Sequence, residues 1–205
     1  MSHFHPEIRQ RAEELVGLYP RARSAMLPLL HLAQEQDGYL SPEGIDEVAA
    51  LTGTTSADVR GTAAFYDMFH LEPVGKYVVG VCTNIACLLA GGEEFLEYAS
   101  RKLGCAVGST TSDGLFTLEE TECLADCDKA PCVQVNHRYV RTTTLATFDA
   151  LVDDLRASKL DADVPSHGTL IRVRRSGGLR APRQEIVDQR ARSSAARAQR
   201  AEEAK

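Results

Sequence analysis

The sequence predicts an α+β protein: an N-terminal helical bundle, a small α/β domain behind it, and a basic extension at the end. Three observations predict this. Apolar residues recur at helical spacing up to about residue 70, they gather into short β-branched runs after Pro73-Val74-Gly75, and beyond Pro165 the pattern fades into Arg and Ala. With 205 residues, 43% apolar and 25% charged, the chain has material for a core, which excludes wholesale disorder and a collagen-like fibre.

The first helix runs from Pro6, a first-turn proline, with Ile8, Ala12, Leu15, Val16 and Tyr19 on one face. A second carries Ala22, Ala25, Met26, Leu29, Leu30 and Ala33 and stops at Gly38; Pro28 inside it requires either a start near Ser24 or a kink. Ser41 as N-cap, Pro42 and a Gly53 stop define a third helix. Thr55 and Asp58 make a capping box with Asp in the usual Glu or Gln position, opening a fourth that runs into Ala63 and Tyr66. Lys76 to Cys82 reads as a strand buried on both faces. Gly91-Gly92 open a helix with Phe95, Leu96, Ala99 and Leu103 inward, ended by Gly104. After the polar stretch Gly108 to Gly114 comes a strand with Phe116 and Leu118 alternating. Val133 to Val135 and Arg138 to Val140 then form a hairpin turning at Asn136-His137. Thr144 caps a last helix whose face is Leu145, Phe148, Leu151, Val152 and Leu155. The order β-α-β-β-β-α in so few residues suits a thioredoxin-like α/β sandwich. The boundaries read from this are 1–72, 73–160 and 161–205.

The net charge of -6 is split. Residues 166 to 205 carry 10 Lys/Arg against 4 Asp/Glu, a net of +6, while the rest carries 13 against 25, a net of -12. An acidic body argues against nucleic acid as a partner there. No apolar run reaches the length of a membrane span, and the first residues have neither a secretory nor a transit pattern, so a cytosolic location is expected.

Six cysteines in such a chain read as a metal or redox site before a disulfide framework. Their spacing is Cys82-x4-Cys87-x17-Cys105-x17-Cys123-x3-Cys127-x4-Cys132. Cys82, where the first strand ends, with Cys87 in the loop that follows, and Cys123 and Cys127, in the loop after the second strand, emerge at one end of a small sheet. Four thiolates are what two irons bridged by two sulfides require, two on each iron. Four also suit a structural zinc, and unligated or disulfide-forming thiols are a third reading. The C-x-x-C of a thioredoxin-type redox centre is absent, and only His137 lies near enough in sequence for a Rieske-type mixture. Spacing alone leaves open which four of the six bind; Cys127-x4-Cys132 is a second x4 pair, with Cys132 set at a strand start. Cys105, after a helix stop, reads as a small buried apolar residue. Asp126 and Asp128 flank Cys127, opposed by Lys129, and carboxylates facing a cluster would disfavour its reduced form. No dinucleotide fingerprint, Walker motif, G-x-S-x-G or HExxH is present, so no catalytic residue is assigned and substrate chemistry is expected on a partner.

These residues resemble the thioredoxin-like 2Fe-2S subunit of respiratory complex I, known in bacterial NADH-quinone oxidoreductases as the E subunit. The matching stretches are Leu32-Ala33-Gln34-Glu35 with Gly38-Tyr39-Leu40-Ser41, and Thr62 to Phe69 with Pro73 and Gly75. They continue through Val81-Cys82-Thr83-Asn84 to Cys87, and from Glu122 to Pro131. The resemblance covers residues 6 to 157. It implies one 2Fe-2S cluster on Cys82, Cys87, Cys123 and Cys127 as cofactor-binding and metal ligands. It also implies a partner subunit holding FMN and NADH, other peripheral-arm subunits, and a place on the cytoplasmic face of the inner membrane. The corresponding diaphorase subunit of an NAD-linked hydrogenase or formate dehydrogenase carries nearly the same motifs, and a zinc-stabilised binding module is the alternative of a different class. Ala125 stands where the family usually has Gly, and Cys132 where it usually has an apolar residue.

Overall fold

The computed structural model describes residues 2–140 and 144–164. The predicted basic extension from residue 166 lies outside the described residues. Four helices come first: α1 (Pro6–Gly17), α2 (Met26–Asp37), α3 (Pro42–Thr52) and α4 (Ser56–Ala63). α1 ends before Tyr19, which is largely exposed, so its buried face is shorter than the periodicity predicts. Pro28 is resolved without a kink. A 3-10 turn over Ala22–Ala25 precedes α2, and Pro28 becomes its third residue, where an N–H would have no partner within the helix. Ser41 Oγ accepts from the Gly44 N–H at 3.0 Å, and Gly38 and Gly53, both at positive φ, close α2 and α3 as predicted. Asp58 completes the capping box with Thr55 despite its shorter side chain. α4 stops at Ala63, leaving Tyr66 in the turn that follows.

Gln34, buried within α2, fastens that turn. Its Nε2 donates to the Met68 carbonyl and its Oε1 accepts from the His70 N–H, both at 2.8 Å. Gln34 supplies a non-helical stretch with the two main-chain partners it lacks, which burial makes obligatory.

The second part is built on a five-stranded sheet of β1 (Tyr77–Cys82), β2 (Ser109–Thr110), β3 (Phe116–Thr121), β4 (Val133–Val135) and β5 (Arg138–Val140), in the order β2-β3-β1-β4-β5. β1 and β3 are parallel, with Tyr77 opposite Phe116 and Cys82 opposite Thr121; the other pairings are antiparallel. Every residue of central β1 is buried. Between the strands lie α5 (Ile85–Leu89) and α6 (Gly92–Leu103), and after them α7 (Leu145–Arg156). Tyr77, Val79 and Val81 pack with Phe95, Leu96 and Ala99 of α6 and Phe148, Val152 and Leu155 of α7 in one core. Phe95 and Phe148 meet edge to face at 5.2 Å. The helices α1 to α4 enclose a separate core of Leu29, Leu30, Leu40, Val48 and Val59.

Three details depart from the sequence reading. Cys87 sits in α5, not in a loop; β2 arises from the polar stretch read as a connection; and Leu145, at the exposed start of α7, leaves the buried face of that helix to begin at Phe148. The hairpin turns at Asn136 and His137 as predicted, both at positive φ, the geometry of a tight two-residue turn. No helix among the described residues is long and apolar enough to cross a membrane.

Replacing Gln34 by Leu strands the Met68 carbonyl and His70 amide. We expect a loss of about 2 to 4 kcal/mol in urea unfolding.

Candidate functional site

The parallel pairing of β1 and β3 ends both strands at one edge, and from that edge the chain enters two loops. After Cys82, Asn84 caps α5 through its Oδ1, which accepts from the Ile85 N–H at 2.9 Å. That short helix turns Cys87 inward. Cys82 and Cys87 are each 1% exposed, whereas Ile85 is 73% and Leu89 84% exposed. α6 begins hard against this turn: a Cβ on Gly92 would lie 2.8 Å from the Cys87 carbonyl oxygen and 2.9 Å from that of Cys82, so only glycine fits.

After β3 the chain passes Glu122 to Cys123. Asn84 Nδ2 donates to Glu122 Oε2 at 3.0 Å, and the Tyr139 hydroxyl donates to the Leu124 carbonyl, holding the second loop beside the first. Cys123 and Cys127 are exposed, their sulfurs 3.9 Å apart. Ala125 between them takes a φ of 59°, the left-handed conformation that favours glycine. Its side chain is exposed, so what the position asks for is a left-handed backbone, which glycine adopts without strain.

Cys132 lies 4% exposed against the inner pair. Its main chain continues the β1–β4 ladder, accepting from the Cys82 N–H at 3.0 Å, and its own N–H donates to Cys87 Sγ at 3.4 Å. Cys105 is half-buried against the sheet core, away from the other five. His137 sits in the β4–β5 turn, at the other end of β4 from Cys132.

Burial pushes the Cys82 thiol up, partly offset by the N–H groups of Leu124 and Asn84. Cys127 is raised chiefly by its partner Cys123. Cys132 is pushed up to about 12, by burial first and then by Cys87. A bound cation would supply the opposing charge and favour the thiolate, the ordinary coupling of metal binding to thiol ionisation. Lys129, 2.7 Å from Asp128, pulls that exposed carboxyl down, so of the two carboxylates that flank Cys127 this one is paired at the surface.

Two thiolates on one tetrahedral metal, at metal–sulfur lengths of about 2.3 Å, stand about 3.8 Å apart. The separation of Cys123 and Cys127, 3.9 Å, fits. Among the described residues no group of three or more His, Cys, Asp or Glu is placed to hold one ion; Cys82, Cys87 and Cys132 cluster on the buried side and Cys123 and Cys127 pair on the exposed side. α5, the Gly92 approach and the seat of Cys132 were not read from sequence. The one available signal was the Gly91-Gly92 pair so soon after Cys87.

An α/β sheet with paired cysteines at the carboxyl ends of adjacent parallel strands defines a small protein whose site is built to hold a thiolate-bound metal centre. The family model for the thioredoxin-like [2Fe-2S] ferredoxin matches residues 12–156, and the chain belongs to that family. It is 45% identical over 146 residues to the E subunit of the NADH-quinone oxidoreductase of Mycobacterium bovis, a match covering 71% of this chain and 58% of that one. With subunit 2 of the Thermus thermophilus enzyme it is 43% identical over 150 residues, covering 72% and 83%. The second E subunit of the Rhizobium meliloti enzyme is 38% identical over 152 residues, covering 74% and 90%. The fold matches part of an NAD+-reducing [NiFe]-hydrogenase crystallised in the air-oxidised state, with a TM-score of 0.59 at 22% identity, over 65% of this chain and 23% of that chain. The chain thus spans somewhat over half of the mycobacterial relative and under a quarter of the hydrogenase chain.

Gly92→Ala forces the Cys82 and Cys87 carbonyls apart; we expect a loss of about 1 to 3 kcal/mol in urea unfolding and reduced iron per purified chain. Ala125→Gly removes the left-handed penalty and should add up to about 1 kcal/mol in the same unfolding measurement.

Proposed function

We propose that the chain carries one [2Fe-2S] cluster on Cys82, Cys87, Cys123 and Cys127 and serves as an electron-transfer subunit of an NADH-quinone oxidoreductase. It would exchange single electrons with the FMN of a partner subunit that binds NADH, in the peripheral arm on the cytoplasmic face of the membrane. The observation that carries the ligand assignment is the delivery of two cysteine pairs to one edge by parallel strands, with a pair separation suited to a shared iron. The relatives named as subunits of that oxidoreductase support the assembly. The hydrogenase likeness is one of fold and does not favour the diaphorase alternative. Division into 1–72, 73–160 and 161–205 is part of the same proposal; separate cores in the helical and sheet parts support its first boundary.

When bound, the cluster supplies a one-electron site within the protein. The chain's own residues set its surroundings. Cys82 and Cys87, buried together with Cys132, exclude water from the inner side. The N–H of Cys132 donates to Cys87 sulfur, and such a donor favours added negative charge. Cys123 and Cys127 face outward, which gives electrons a short route to a docked partner. Ile85, Leu88 and Leu89, exposed beside Cys87, give that partner an apolar surface to cover.

The full-length chain, purified anaerobically, should be coloured, hold two irons and two labile sulfides, and give a paramagnetic signal on one-electron reduction. Cys123→Ser should abolish that signal and Cys105→Ser leave it intact. The reverse pattern, or a colourless chain with stoichiometric zinc, overturns the assignment.

A further inference from the structure

Cys132 is the third thiol of the inner pocket, and it touches both halves of the site. Pairing of Val81 with Val133 carries the ladder one step on, so that Cys132 stands opposite Cys82 and accepts its N–H. Its own N–H reaches Cys87 Sγ at 3.4 Å. Those two contacts are main-chain and would survive most substitutions. The third is not: Cys132 Sγ donates to the Asp126 carbonyl at 3.0 Å, within the segment between Cys123 and Cys127.

That carbonyl also accepts from the Lys129 N–H at 2.9 Å, closing the short turn over Cys127–Lys129. Its two lone pairs are thereby both engaged, one by the turn and one by the thiol. The thiol contact matters because the loop has little else to hold it. Cys123, Ala125 and Cys127 are all exposed, and Ala125 is in a left-handed conformation. Leu124 packs against the inner cysteines and its carbonyl accepts from the Tyr139 hydroxyl, which anchors the front of the loop. Ala130 packs against the inner cysteines, and among the described hydrogen bonds that of the Cys132 thiol is the one that joins the back half of the loop to the buried side of the pocket. An apolar residue of the same size would fill the space and leave Asp126 without that tie.

We propose that Cys132 is a positioning residue for the cluster, a non-ligating thiol whose hydrogen bond to Asp126 holds the Cys123–Cys127 loop against Cys82 and Cys87. The inference rests on the ligand assignment above. The apolar bulk of valine and the donor capacity of serine separate its two attributes: C132V keeps the packing and removes the bond, whereas C132S keeps a donor in the same place.

The test uses the full-length, cluster-loaded chain as wild type, C132V and C132S. Two quantities are read: the rate at which an iron chelator bleaches the visible absorption, and the midpoint potential in a titration monitored by EPR. Loss of one hydrogen bond should make C132V lose its cluster on the order of fivefold faster and shift its potential, with C132S returned toward wild type in both. A C132V chain equal to wild type in rate and potential overturns the inference, as does a C132S chain no different from C132V. If C132V loses the cluster outright while Cys127→Ser retains it, Cys132 is a ligand and the positioning role is wrong. A wild-type chain with no iron–sulfur signal is a separate result, which removes the ligand assignment itself.

Discussion

Parallel pairing of β1 with β3, in the register that sets Cys82 opposite Thr121, is the constraint on which the site depends. Strands that run the same way end at the same edge, so residues far apart in sequence leave the sheet side by side. Cys123 follows Thr121 by two residues, and its loop therefore opens next to the one that begins at Cys82. An antiparallel neighbour would send the second loop to the far end. A parallel pair requires a crossover, and α6 provides it while burying Phe95, Leu96, Ala99 and Leu103 against the strands it connects.

The crossover must also start close to the thiols. Gly92 permits this, because its missing side chain lets the first turn of α6 lie on the carbonyls of Cys82 and Cys87. β4 closes the other side, running antiparallel to β1 and seating Cys132 opposite Cys82. The result is asymmetric: an inner cysteine pair enclosed by helix, strand and a third thiol, and an outer pair in solvent. The enclosed side resists water, while the open side is where a second protein can approach.

Much of this was legible in the sequence. Caps such as Ser41 and Thr55 and stops such as Gly38, Gly53 and Gly104 act within one turn of chain, so local rules located them. β1 was legible because a strand buried on both faces is apolar throughout. β2 was not, since Ser109 and Thr110 form a short exposed edge with no apolar alternation. α5 was missed because five residues are too few to show a period, and because the burial of Cys87 that fixes its inward side is against Cys82 and Cys132. Gln34 reads as one more polar residue in an amphipathic helix; its two main-chain partners lie more than thirty positions away.

By itself the sequence determined the order and kind of the long elements, the presence of two cysteine pairs and the extra thiol, and the charge split between body and extension. These follow from composition, spacing and local backbone preference, all properties of neighbouring residues. Only the tertiary structure decided that one pair is buried and the other exposed, that Gly92 must be glycine, and that Cys132 reaches Asp126. Each of those depends on how the chain around the cysteines is folded back on itself, by the sheet register and by the packing of α6 on the turn before it, and local backbone preference does not contain that distance.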